Sequence, residues 1–154
     1  MSIRRVAQIV GITGSLALSG SIFTYSYAAI PAISLALSTP SLACQQWKRM
    51  YSLGKAISPP LALISAGSFW WVWMSTGEVA YIVATGLAVS IVPWALIVMK
   101  RTNDSVATFD GHTNDGGVEA IAVKKLLDRW ALMNFIRALF PFVGGIVGLV
   151  AALP

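Results

Sequence analysis

Four long stretches of this sequence contain no charged residue: Val6 to Trp47, Ala56 to Gly77, Val79 to Met99 and Ala138 to Pro154. Charged residues make up 11% of the chain, against roughly 25% in a soluble domain. A soluble all-helical domain is disfavoured, because too little charge remains to clothe a surface. Cysteine is limited to Cys44, so the fold does not depend on an intrachain disulfide. That thiol is either an inert small residue or a free one, and the inert reading is preferred. The one histidine, His112, sits in a Gly/Asn/Asp-rich segment near Asp110 and Asp115, a weak metal signal. No span holds paired carboxylates, no phosphate-binding glycine loop follows a strand, and no nucleophile triad can be assembled. No haem-like or flavin-like motif appears. An enzyme built on this chain is expected to work without a tightly held classical cofactor and without a metal.

What is present is apolar: 56% of the residues. A membrane span needs about 20 largely apolar residues. The reading is an all-α, polytopic four-transmembrane-helix bundle in a single membrane domain, 1–154. Its helices are expected near 6–30, 51–74, 79–99 and 126–152, with one sizeable loop over 100–123. MSIRR and the apolar run after it read as a retained first helix, since that run exceeds the roughly 7–15 residues of a cleavable signal core. Gly11, Gly14, Ser15, Ser19 and Gly20 suit close helix contacts. Small residues in helices one and four can serve a homo-oligomer or only the bundle. Thr39 or Ser41 can cap a short helix holding CQQWKRMY. Pro59 and Pro60 should bend or locally open helix two, which makes that point a cavity wall or merely a packing kink. FWWVW at 69–73 reads as interfacial. The net charge of +5 comes from basic residues flanking apolar runs, not from a nucleic-acid-binding run. Their bias puts the first and third loops in the cytosol and both termini on the other side, with Arg4 and Arg5 dissenting.

Polar groups inside the apolar stretches need a reason. In WALMNFIR, at 130–137, steps of three and four residues place Trp130, Asn134 and Arg137 on one helix face. Arg137 can snorkel to the interface or face the bundle, where it would offer a fixed cation and several donors to an oxyanion. A second face collects Trp47, Tyr51, Gly54 and Ser58, with Arg49 and Lys55 near the same mouth. Asn103 follows helix three at its polar end. The loops gather these groups at one membrane face. An aromatic ligand could stack on Trp47, Tyr51 or Trp130 while its oxygens met Arg or Asn. The plain alternative for the tryptophans and tyrosines is an interfacial belt.

Three segments also carry a resemblance: WKRMYSLGK with PPLAL at 47–63, PWALIVMKRTN at 93–103, and LLDRWALMNFIRALFPFVGGIVG at 126–148. In order and spacing they resemble the anthrone oxygenases, small four-helix membrane proteins of fungal aromatic polyketide pathways. The resemblance implies oxidation of an anthrone, such as emodin anthrone, to an anthraquinone by molecular oxygen, without a cofactor. It implies a small aromatic polyketide substrate and membrane lipid as partners, and an endomembrane such as the endoplasmic reticulum or a vesicle. Arg49, Tyr51, Asn103, Trp130, Asn134 and Arg137 carry over on the matching motifs. Arg137 and Arg49 are expected to stabilise the oxyanion, and Asn134 and Asn103 to orient the carbonyl and peri-hydroxyl oxygens. Trp130 and Tyr51 would clasp the rings, with Trp47 and Lys55 at the same binding site. Tyr51 or Lys55 could be the base if a nearby cation or burial lowered its pKa, and Tyr51 is favoured. The rival readings are a non-catalytic membrane binding or scaffold protein for a lipophilic pathway intermediate, and a small transporter. The latter lacks an inverted repeat or a mid-membrane charge pair.

Overall fold

Charge-free runs of this length satisfy their backbone polar groups internally, so helix is the expected outcome. The computed structural model describes residues 2–109 and 116–153. Among them the chain is helical almost throughout. Helix α1 covers Ile3–Ser34 and contains one widened π turn, Tyr25–Ala29. Helix α2 is Pro40–Thr76, and α3 is Val79–Val98, ending in a second π turn at Trp94–Val98. The short α4 is Lys100–Ala107, and α5 is Gly116–Ala152. Helix α1 packs on α5 and α2, and α3 packs on α2 and α5, which closes a ring of four long helices.

By length and composition, three helices qualify to cross a membrane: Ile3–Ser34, Val79–Val98 and Gly117–Ala152. Helix α2 is long enough, but Pro59, Pro60, its serines and its tryptophans dilute its hydropathy. The outer faces are apolar. Leu63 and Leu96 are each 66% exposed, and Ile97 is 75% exposed. Contiguous exposed apolar surface of this kind suits lipid rather than water. Hydroxyls are satisfied accordingly. Thr13, Ser65, Ser68 and Thr76 each donate to the carbonyl one turn back, at 2.7–2.9 Å. Ser15 and Ser19 instead reach across from α1 to the Pro141 and Ala138 carbonyls of α5, at 2.7 and 2.8 Å.

The helix limits depart from the sequence expectation in two places. CQQWKRMY is not a separate short helix. It is the first part of α2, which begins at Pro40 and runs on without a break through Pro59 and Pro60. The segment 100–123 is not one loop. Residues 100–107 form α4, and α5 begins at Gly116. Composition understated two local supports, the i,i+4 pairs Lys100–Asp104 and Lys124–Asp128, each 2.6 Å. It also missed the burial of Thr102, Asn103 and Val106 against the bundle. The segment of the weak metal signal, Asp110, His112 and Asp115, where no metal is expected, lies outside the described residues.

The core falls into three layers along the bundle. At the turn end, Phe69, Tyr81, Val72, Ala84 and Ile12 pack together. The middle layer holds Leu18, Ile22, Ala62, Ile91 and Ala138. At the other end Trp47, Trp130, Met99, Leu127 and their neighbours form the largest cluster. Helices α2 and α3 are joined by only Gly77 and Glu78. Gly77 takes the left-handed conformation (φ 73°) that ends α2, and its N–H bonds the Trp73 carbonyl at 2.8 Å. The fully buried Phe69 ring is pinned from two sides. A methyl added at Gly11 would lie 2.8 Å from it, and one added at Gly148 would lie 2.5 Å from it. Gly148→Ala is therefore expected to destabilise by about 1–3 kcal/mol through overpacking. Gly67→Ala, whose methyl meets nothing within 4 Å among the described residues, should be neutral or stabilising by up to about 1 kcal/mol. Thermal or denaturant unfolding in detergent checks the contrast.

Candidate functional site

The site lies between the middle layer and the tryptophan-rich end. Trp130 on α5 is buried, and its indole N–H donates to Asn103 Oδ1 at 2.9 Å. Asn103 Nδ2 in turn donates to the Tyr51 hydroxyl oxygen at 3.0 Å. An indole N–H can only donate, so it fixes which end of the Asn103 amide faces Tyr51. The Tyr51 oxygen is therefore an acceptor toward α4. Trp47 stacks on the Tyr51 ring, with centroids 4.8 Å apart and planes 13° apart, and meets Trp130 edge-on at 5.8 Å. Lys55 Nζ lies 5.4 Å from the Tyr51 ring centre. Three aromatic rings from two helices thus form one rigid wall, with Asn103 as its polar tie.

The second half of the site joins α5 to α1. Asn134 is fully buried, and its Nδ2 donates to the Ile22 carbonyl at 2.8 Å and to Ser26 Oγ at 3.1 Å. Both amide protons are thereby used, and Oδ1 is left facing Arg137 Nη1 at 3.5 Å. No acidic side chain pairs with Arg137 among the described residues. Its Nε is buried and has no hydrogen-bond partner among them. A cation so placed is costly in an apolar surround unless something supplies acceptors.

Between these halves lies a pocket of about 130 Å³, roughly ten times the room a single water needs. Of the residues expected from sequence, Tyr51, Lys55, Trp130, Asn134 and Arg137 line it. Trp47 and Asn103 do not. They stand behind its wall and hold Tyr51 and Trp130 in place. Arg49 is exposed and is not part of the lining. Two residues before Tyr51 on a helix, it points some 200° away, which is why nearness in sequence misled. Neither asparagine offers a free N–H to a ligand here. Their geometry suits positioning rather than substrate contact.

The sequence reading also missed Tyr25, which lines the pocket from the π turn of α1. Its ring lies against Gly54, where an added methyl would come within 3.3 Å of Cε2. The one available signal was Pro31, whose ring clashes with the carbonyl four residues back and favours a widened turn there. Val92, Ala95 and Leu96 supply the apolar side of the lining. No group of three or more potential metal ligands is found among the described residues. Cys44 is buried behind Trp47. Burial pushes its thiol pKa up, against a smaller lowering by the Lys48 charge. That keeps it protonated and unreactive.

Asn134→Leu removes two hydrogen bonds that tie α5 to α1. It should cost about 1–3 kcal/mol of stability, more than Ser26→Ala, which removes only the longer bond. Unfolding midpoints of the two variants in detergent give the comparison.

The comparisons with known proteins agree on one family. The family model described as anthrone oxygenase matches residues 47–147. An anthrone oxygenase of Aspergillus fumigatus, tpcL, is 32% identical over 90% of this chain and 87% of its own length. A second from the same fungus, encC, is 30% identical over 99% of this chain and 95% of its own. A noranthrone monooxygenase of Aspergillus flavus is 29% identical over 90% of this chain and 69% of its own. No solved structure matches significantly. The matched segment spans α2 through most of α5 and so contains Tyr51, Asn103, Trp130, Asn134 and Arg137: the chain belongs to the anthrone oxygenase family.

Proposed function

We propose that this protein is a membrane-embedded oxygenase that converts an anthrone of the emodin-anthrone type to the anthraquinone with molecular oxygen. The observation that carries the reading is Arg137, a cation with a buried unpartnered Nε, set in a pocket walled by Trp130 and Tyr51. A flat, apolar ketone that becomes an oxyanion on losing a proton fits such a pocket. Four spans are proposed, with α2 as the fourth. Its charge-free part, from Ala56 on, packs between α1 and the first part of α3. An endomembrane location follows the same reading.

The chemistry needs three things from the chain. The methylene between the two anthrone rings must lose a proton, giving a delocalised anthrolate whose charge rests largely on the ketone oxygen. Arg137 Nε and Nη groups stabilise that oxygen, held in place by Asn134 Oδ1. Tyr51, whose oxygen is fixed by Asn103, is the proposed proton acceptor. Burial raises its pKa rather than lowering it, and the Arg137 charge and the Asn103 hydrogen bond offset this only in part, so its ionised form is a minority species at neutral pH. The anion then gives electrons to oxygen and forms a carbon–oxygen bond at the former methylene carbon. Loss of the remaining hydrogen with the distal oxygen yields the second carbonyl. One oxygen atom enters the quinone, the other leaves as water, and four electrons pass from carbon to oxygen. The Trp130 and Tyr51 rings, backed by Trp47, flank the flat substrate and exclude bulk water.

Purified protein given emodin anthrone under oxygen, without added metal or flavin, should form quinone well above the spontaneous background. A rate equal to that background would refute the reading for this substrate. Arg137→Met should retain the fold and lose about 100-fold or more in kcat/KM, the scale of losing one oxyanion donor set. A scaffold protein would instead keep its function in that variant. Tyr51→Phe should cut turnover at neutral pH and leave less of a deficit at alkaline pH, where solvent hydroxide makes the anthrolate. Equal turnover at all pH values would remove Tyr51 from the mechanism.

A further inference from the structure

The pocket has a side opening, and its rim is not where an aqueous substrate would arrive. Its outer lining comes from Pro59 on α2 and from Val92 and Leu96 on α3. Val92 is 38% and Leu96 66% exposed, on the same outward apolar face as Ile97. Helices α2 and α3 pack closely from the Gly77 turn onward, yet the π turn Trp94–Val98 makes almost no backbone contact with α2. The two helices therefore part at the level of Pro59 and Pro93. Both are prolines, each of which removes a backbone donor from its helix at the level where the gap is left. Asn103 closes the gap again from α4, through its bond to Tyr51. What remains is a slot bounded by apolar side chains, with the charged Lys55 at one corner.

We infer that ligands reach the pocket sideways out of the bilayer, through this slot between α2 and α3, and that Ala95 and Val92 set the width it admits. A fused three-ring ligand is thin in one dimension and partitions into lipid, so a slot between two helices passes it where a round pore would not. That the cargo is an anthrone rests on the function proposed above; the route does not.

Accessibility of one thiol tests the route without any substrate. In a Cys44→Ser background, Ser58→Cys places a single cysteine on the pocket wall at a buried position. In sealed vesicles a lipid-soluble N-alkyl maleimide should label it at least tenfold faster than a membrane-impermeant sulfonated thiol reagent supplied on both sides. Adding Ala95→Trp, or Val92→Trp should the first not fold, should slow the lipid-soluble reagent about tenfold. Complete labelling in denaturant confirms the free thiol, and circular dichroism confirms the fold. Equal rates for the two reagents would show an aqueous opening and overturn the proposal. So would labelling by neither reagent in the folded protein, or labelling unaffected by the tryptophan plug. A positive result combined with no anthrone turnover would separate the route from the reaction.

Discussion

An arginine inside an apolar bundle must be supplied with acceptors by the protein or by a ligand, and much of this structure answers that one demand. Arg137 receives a single long contact from Asn134 Oδ1. Asn134 can offer only that oxygen, because its amide protons are committed to Ile22 and Ser26 of α1. The side chain that steadies the cation is therefore itself clamped by a different helix. Under the function proposed above, the partner still missing for Nε is a substrate oxyanion. Asn103 repeats the pattern on the other wall, where Trp130 and Tyr51 use up its two ends. Each amide spends its hydrogen bonds on protein and thereby fixes one functional group.

The same accounting extends through the bundle. Threonine and serine hydroxyls close onto their own helices, and Ser15 and Ser19 close onto α5. With no water to satisfy them, such groups either pair internally or destabilise the fold. Against that background, Gln8 Oε1, Trp47 Nε1 and Arg137 Nε are buried without a partner among the described residues. Of these three residues Arg137 alone lines the pocket, and a functional reading starts from it.

Much of this was legible in the sequence, and the parts that were not share a cause. Charge-free runs marked the long helices because solvation by lipid is a property of composition. The face Trp130–Asn134–Arg137 was legible because helical periodicity is rigid within one element. Between elements that rigidity gives no guidance. Trp47 and Asn103 were expected to touch substrate, and whether they stand in front of or behind Tyr51 depends on how three helices cross. Arg49 was grouped with the site by proximity along the chain, although its helical phase points it outward. Tyr25 was invisible because a widened turn shifts the phase of everything after it, and periodic counting assumes no such shift. Helix α4 was read as loop because its Asn and Asp content outweighed two supports that only appear on folding, the Lys100–Asp104 pair and the burial of Asn103.

The Phe69 ring wedged between Gly11 and Gly148 has a mechanical meaning. It locks α1, α2 and α5 together at the end of the bundle where Gly77 folds α2 back into α3. Helices α2 and α3 then resemble the two arms of a spring clip whose coil is the Gly77 turn. Beyond the clamped end the arms part beside Pro59, midway along α2, and the Trp94–Val98 turn of α3. That place borders the pocket. A clip fastened at its coil by Phe69 and at its tips by the Trp47–Tyr51–Asn103 network leaves its opening at one level only, between the two fastenings.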